Sequence, residues 1–152
     1  AARHMGGRAG TLSIQGYSMS IAGEVHRQAG RADMARKAYH VALRMFRSVG
    51  AEDHGIPCEL NLALLHQEDG EDDAAIEILS EAAAQFRELG DRGGLGDALR
   101  QRGMVEIFAG RLDAADRSLE AALAAFEEAG DVPLVSLFGS KDEPDGEPSA
   151  TG

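Results

Sequence analysis

The sequence predicts an all-α protein of three stacked helix hairpins, and three observations carry that prediction: a fixed repeat, regular glycine punctuation and the composition of close-packed helices. The repeat is forty residues long: Gly30, Gly70 and Gly110 form one series, and Gly50, Gly90 and Gly130 a second, offset by half a repeat. Between them recur Asp33, Asp73 and Asp113, then Ala35, Ala75 and Ala115, and Ala42, Ala82 and Ala122. The segments that follow the first glycines read GRADMA, GEDDAA and GRLDAA. A period of this size marks an array of supersecondary units that bury their apolar faces on one another. Only 5% of residues are aromatic, there is no Trp, and 43% of residues are hydrophobic, which suits helices packed closely through small side chains.

Each half-repeat is about one helix long, and each glycine stands where a helix should stop, because glycine adopts the left-handed closing conformation at little cost. The pattern places first helices at about residues 12–29, 56–69 and 94–109, and second helices at about 32–49, 72–89 and 112–129. Asp33, Asp73 and Asp113 are expected to accept backbone N–H groups at the second-helix starts. Phe46, Phe86 and Phe126 each precede a glycine by four residues, about one helical turn, so each should be the last core anchor of its helix. In the middle hairpin Ile78, Leu79, Ala82, Phe86 and Leu89 read as one apolar stripe.

The ends depart from this register. Residues 1–10, AARHMGGRAG, match no repeat, since Gly6 stands where a Phe is expected, and they read as disordered or as a cloning scar ahead of Met5. The repeats divide at about 11–50, 51–90 and 91–130. DVPLVSLFG begins like another first helix, with Asp131 as cap and Pro133 in its first turn. Residues 131–139 therefore either cap the third repeat through Leu134, Val135, Leu137 and Phe138 or dock on a neighbouring molecule. Residues 140–152 read as a disordered acidic tail.

The formal charge is −11. So acidic a surface repels phosphate backbones and argues against nucleic-acid binding; it suits cationic protein or peptide partners, and it equally serves to keep a helical protein in solution. No long uncharged apolar run and no leader pattern is present, which gives the expectation of a cytoplasmic chain without membrane contact.

The residue pattern resembles the tetratricopeptide repeat. Its marks here are a small residue in each first helix (Gly23, Ala63, Gly103), Ala35, Ala75 and Ala115 twelve residues later, then Tyr39, Leu79 and Leu119, then Ala42, Ala82 and Ala122. The resemblance covers roughly residues 14 to 130 and implies a right-handed α-solenoid of three hairpins with a short C-terminal capping helix. The usual repeat has a 34-residue period; the longer period here is similar to that of bacterial regulatory and signalling proteins. Two departures stand out: the proline at the repeat end is absent, and Arg102 replaces the apolar residue that Leu62 supplies.

The resemblance also implies a concave groove, lined by the first helices, that holds a protein or peptide. Carried over position by position, it gives Tyr17, Ser20, Ile21, Glu24, Arg27 and Gln28 from the first repeat and Leu60, Asn61, Leu64, Gln67 and Glu68 from the second. The third gives Asp97, Arg100, Gln101, Met104, Ile107 and Phe108. A family subclass clamps the acidic C-termini of heat-shock chaperones with Lys, Asn and Arg side chains; Asn61 fits, but Ser20, Glu24, Asp97 and Gln101 do not. Instead Leu60, Leu64, Met104, Ile107 and Phe108 form an apolar run for an amphipathic or cationic partner, unless the C-terminal segment covers its end. A homodimer through the same surface, or through the end around Leu134 and Phe138, is the rival reading.

Nothing points to catalysis, a cofactor or a metal. GDRGGLGDAL lacks the preceding strand and the Lys-Ser/Thr pair of a phosphate loop, and Leu99 stands where a dinucleotide fingerprint requires glycine. His26 and His66 share a register position that Glu106 fills in the third repeat, and they read as packing or hydrogen-bonding residues. Cys58 has no activating neighbour and reads as a small buried hydrophobe.

Overall fold

The computed structural model of the chain describes residues 2–130, and the expected cap 131–139 and tail 140–152 lie outside the described residues. Six helices follow one another: α1 (Ala2–Gln28), α2 (Ala32–Ser48), α3 (Ile56–Glu68), α4 (Asp72–Leu89), α5 (Arg92–Phe108) and α6 (Leu112–Ala129). They form the three predicted hairpins, in which α1 packs on α2, α3 on α4 and α5 on α6. No strand occurs among the described residues. All six periodic glycines have φ between +71° and +82°.

The phenylalanine-to-glycine spacing follows from helix closure. In α4 the chain turns left-handed at Gly90 (φ +74°), and Asp91 N then donates to Phe86 O at 3.0 Å. After α2, Ala51 N donates to Phe46 O at 2.9 Å in the same way. The residue beyond the glycine therefore returns its amide to the carbonyl of the aromatic anchor, which satisfies an otherwise orphaned helix-end acceptor.

Close helix approach explains the other recurrent pairing. A Cβ on Gly23 would stand 2.6 Å from Tyr39 Cε1, and one on Gly103 2.7 Å from Leu119 Cδ2. The small residue on each first helix thus makes room for the large residue on its partner. Tyr39, Phe46, Leu43 and Ala35 of the first hairpin share one buried cluster with Cys58, Leu62 and Leu65 of the second. Ala63, Ala75 and Leu79 of the second hairpin form another with Val105 of the third. The core is therefore a series of inter-hairpin layers.

Four expectations are corrected. First, α1 begins at Ala2, not near residue 12, so residues 2–10, expected to be disordered or a cloning scar, are helical; no proline interrupts them, and glycine in a helix weakens without breaking it. Second, a 3-10 turn, Glu52–Gly55, precedes α3, with Gly55 buried against Leu43. Third, Arg31, Glu71 and Arg111 occupy the second-helix N-caps without side-chain caps, while Asp33, Asp73 and Asp113 lie inside the first turn. There the carboxylates oppose the positive end of the helix dipole, an effect worth about 0.3–1 kcal/mol at a surface. Among the described residues the capping aspartate is Asp91, whose side chain accepts from Gly94 N at 2.8 Å. Fourth, Leu89, placed in the apolar stripe, is exposed, and Phe86 is only partly buried.

Candidate functional site

The predicted groove residues fall into three groups. In α1, Glu24 is the centre of a local network: its carboxylate accepts from Arg27 at 2.7 and 3.0 Å, from Gln28 at 2.7 Å and from Tyr39 Oη at 3.1 Å. The Arg27 hydrogen bonds, against the opposing effect of burial, hold its pKa down to about 2, so it stays ionised at any physiological pH. Burial, with Glu24 as acceptor, pushes the Tyr39 phenol up to about 12. Ser20 turns its Oγ towards Cys58 Sγ at 2.9 Å and is committed to the α1–α3 contact. Burial pushes the Cys58 thiol up, in line with a structural residue and against a nucleophile.

Tyr17 is 46% exposed, lies edge-on to Phe46 with ring centroids 5.0 Å apart, and hydrogen-bonds His54 Nδ1 on the 3-10 turn. Ile14, Ile21 and Val25 continue along α1 as exposed apolar side chains. Ile14 and Val25 are absent from the sequence-derived set. Their signal was the three-and-four spacing along α1, which does not say which side of a helix a neighbouring hairpin leaves bare.

In α3, Leu60, Asn61, Leu64 and Gln67 are all half-buried, and Leu60 packs against two of the core clusters; Glu68 is exposed. The apolar run drawn from the sequence is therefore uneven: Leu60 is taken up in packing and Leu64 is half-buried. In α5, Met104, Ile107 and Phe108 are exposed, Phe108 by 72%. Asp97 and Arg100 are exposed and lie 3.8 Å apart, and Gln101 is half-buried with Oε1 lacking any partner among the described residues.

Arg102, the departure from the apolar pattern, finds polar company. Its Nε donates to Ser118 Oγ at 3.0 Å and its Nη1 to Ser80 Oγ at 3.1 Å, while Ser118 donates to the buried Glu106 at 2.6 Å. One guanidinium thus ties the third hairpin to the second. His26 and His66 hold the turns after their helices: Arg31 Nε donates to His26 Nδ1 at 2.9 Å, and His66 Nδ1 lies 2.7 Å from Glu71 Oε1. Among the described residues no group of three His, Cys, Asp or Glu could hold a metal, and no helix is long and apolar enough to cross a membrane.

A cleft of about 390 Å³ that the sequence did not foretell opens between the first two hairpins, lined by His40, Leu43, Arg44 and Arg47 of α2, Glu59 and Leu62 of α3, and Ile78 and Glu81 of α4. Burial pushes the Glu59 carboxyl up, and Gln85 Nε2 donates to it at 3.3 Å.

The tetratricopeptide repeat family model matches residues 57–128, from the second residue of α3 to the last turn of α6. No curated protein and no solved structure matches the chain. Repeats of this family are generally protein–protein interaction scaffolds, typically without catalytic activity. The all-helical hairpins, the small-to-large pairing across them and the family match agree: residues 57–128 are similar to the tetratricopeptide repeat family.

Proposed function

We propose that the chain is a recruiting module that binds a protein segment across its first helices, and that the segment is an amphipathic helix or peptide carrying positive charge. The observation that carries this reading is where the exposed apolar side chains fall. Ile14, Tyr17 and Ile21 on α1, and Met104, Ile107 and Phe108 on α5, account for most of the exposed large hydrophobics of the described residues. Single exposed apolar residues need no explanation, but their concentration on one class of helix is the mark of a binding surface. The exposed Asp97, 3.8 Å from Arg100, supplies negative charge beside Met104 and Phe108, while Glu24 on α1 is ionised and paired with Arg27. The same two acids oppose an acidic peptide tail, so a chaperone-type clamp is not expected to operate here.

The test is selection of helical peptides from a displayed library, followed by titration of the best binder by fluorescence anisotropy. The reading expects a micromolar complex that weakens at least about tenfold in Phe108→Asp or Ile21→Asp and is unchanged in Leu89→Asp. Binders that ignore both groove substitutions would overturn it. A mass of two chains that the same substitutions dissociate would instead favour a homodimer of a bacterial regulatory or signalling protein.

A further inference from the structure

The forty-residue register makes each contact between hairpins a template for the ends of the array. In the cleft between the first two hairpins, Glu59, Leu62, Ile78 and Glu81 of the second face α2 of the first. Forty residues earlier stand Met19, Ala22, Ala38 and Val41. All four line a second, open and mainly apolar cleft of about 280 Å³, together with His26, Met34 and Lys37. Exposure tells the same story. Leu65 and Val105 occupy one register position, pack on the preceding hairpin, and are 1% and 2% exposed, whereas their equivalent Val25 is 55% exposed. Met34 is 50% exposed. The near side of α1 and α2 is thus built as an inter-hairpin surface, and among the described residues no hairpin covers it.

We propose that this face is covered by the far end of a second copy of the chain, stacked head to tail so that α5 and α6 of one copy precede α1 and α2 of the next in the internal register. Two observations select this occupant. The first is charge. Between the first two hairpins, basic Arg44 and Arg47 face acidic Glu59 and Glu81, beside His40, whose imidazole burial holds towards the neutral form. Eighty residues after His40, Arg44 and Arg47 stand Glu120, Ala124 and Glu127, so the far end is acidic where the internal surface is basic. The near end offers Arg31 and Lys37 to it.

The second is a register-specific ion pair. Arg111, at the start of α6, hydrogen-bonds Asp73 on α4 of the preceding hairpin. The equivalents at the two ends of the array are Arg31 and Asp113, both exposed. Head-to-tail stacking brings Arg31 of one copy to Asp113 of the other. Leu123, the equivalent of Leu43, then meets Met19 and Ala22 as Leu43 meets Glu59 and Leu62. Pairing two near ends face to face would instead set Arg31 and Lys37 against their own copies. A head-to-tail contact is not two-fold, so a dimer keeps one bare near end and one bare far end and association continues past it as concentration rises. Arg31, Asp113 and Met34, which test the proposal, lie outside the residues assigned to the recruiting surface, although Val25 adjoins Ile21 on α1.

Analytical ultracentrifugation of the full chain, from micromolar to millimolar concentration, tests it. The expected result is a mass that rises beyond two chains and falls with added salt. Arg31→Asp and Asp113→Arg each should weaken association about tenfold or more, and an equimolar mixture of the two should restore it, since each altered end then finds its complement. Met34→Glu, at a half-exposed position that leaves the folded spectrum unchanged, should abolish it. A monomer at every concentration overturns the proposal. So does association that the Arg31 and Asp113 variants leave intact, or association that appears only when the chain is cut at Gly130, which would assign the far end to the chain's own C-terminal residues.

Discussion

Phe46 and Phe86 occupy the same register position and should differ in what they contribute. Phe46 is fully buried, its ring edge-on to Tyr17 with centroids 5.0 Å apart and 6.0 Å from the His54 ring. A Cβ on Gly16 would stand 2.9 Å from it, so the helix backbone itself closes over the ring. Phe86 is partly buried and packs at the edge of its cluster. Truncating a buried Phe to Ala costs about 3–5 kcal/mol through lost transfer and the cavity left behind, and a lost aromatic pair adds roughly 0.5–1.5 kcal/mol. Phe46→Ala should sit at the top of that range. Phe86→Ala, which exposes less new surface and breaks no ring pair, should cost about 2 kcal/mol less. Urea unfolding followed by circular dichroism measures both, with comparable m-values as the check that the denatured states match. If Phe46→Ala leaves too little folded protein, Phe46→Leu, expected to cost about 1–2 kcal/mol, keeps the comparison open. Costs equal within about 0.5 kcal/mol would refute the argument that the 3-10 turn and Tyr17 make the first inter-hairpin layer different.

Further predictions concern the polar network, two carboxyls and one turn. Ser118→Ala leaves Glu106 and Arg102 each short of a partner at a buried site and should destabilise by about 1–3 kcal/mol in the same unfolding assay. Glu24 has a folded-state pKa of about 2 against an ordinary 4.5, so its stabilising contribution is complete above the ordinary value and is lost as pH falls towards 2. Glu24→Gln should flatten the pH dependence of stability over that window. Its side chain is 35% exposed, so solvent screening blunts the effect. Glu59 shifts the other way, raised by burial, so its charge opposes folding at neutral pH; Glu59→Gln should raise the melting temperature at pH 7, with the gain shrinking as the pH drops into the carboxylate range. Gly90→Ala places a side chain at φ +74° and should cost about 1–2 kcal/mol.

The hairpin architecture was legible because repetition multiplies weak signals. A single glycine says little, but six at twenty-residue steps mark every helix end, and all six have positive φ. Helices α2, α4 and α6 accordingly begin at the predicted residues, and each closes within a residue of its predicted end. The aspartates misled because capping and first-turn positions differ by only two residues, and both favour a carboxylate. The 3-10 turn Glu52–Gly55 occurs once, so no repetition supported it. Exposure was the least legible quantity. Val25, Leu65 and Val105 share one pattern, yet neighbouring hairpins bury two of them and leave the first bare. Arg102 shows the same limit, since its partners Ser118 and Ser80 come from two different helices.

The most direct test of the account is to map where a partner lands. Backbone amide shifts of the isotope-labelled full chain would be followed while a peptide selected for binding is titrated in. The account predicts that the largest changes cluster at Ile14, Tyr17 and Ile21 on α1 and at Met104, Ile107 and Phe108 on α5. Changes confined to α2, α4 and α6 would contradict it, because the partner would then lie on the opposite helices and the exposed apolar side chains of α1 and α5 would have no part in recruitment.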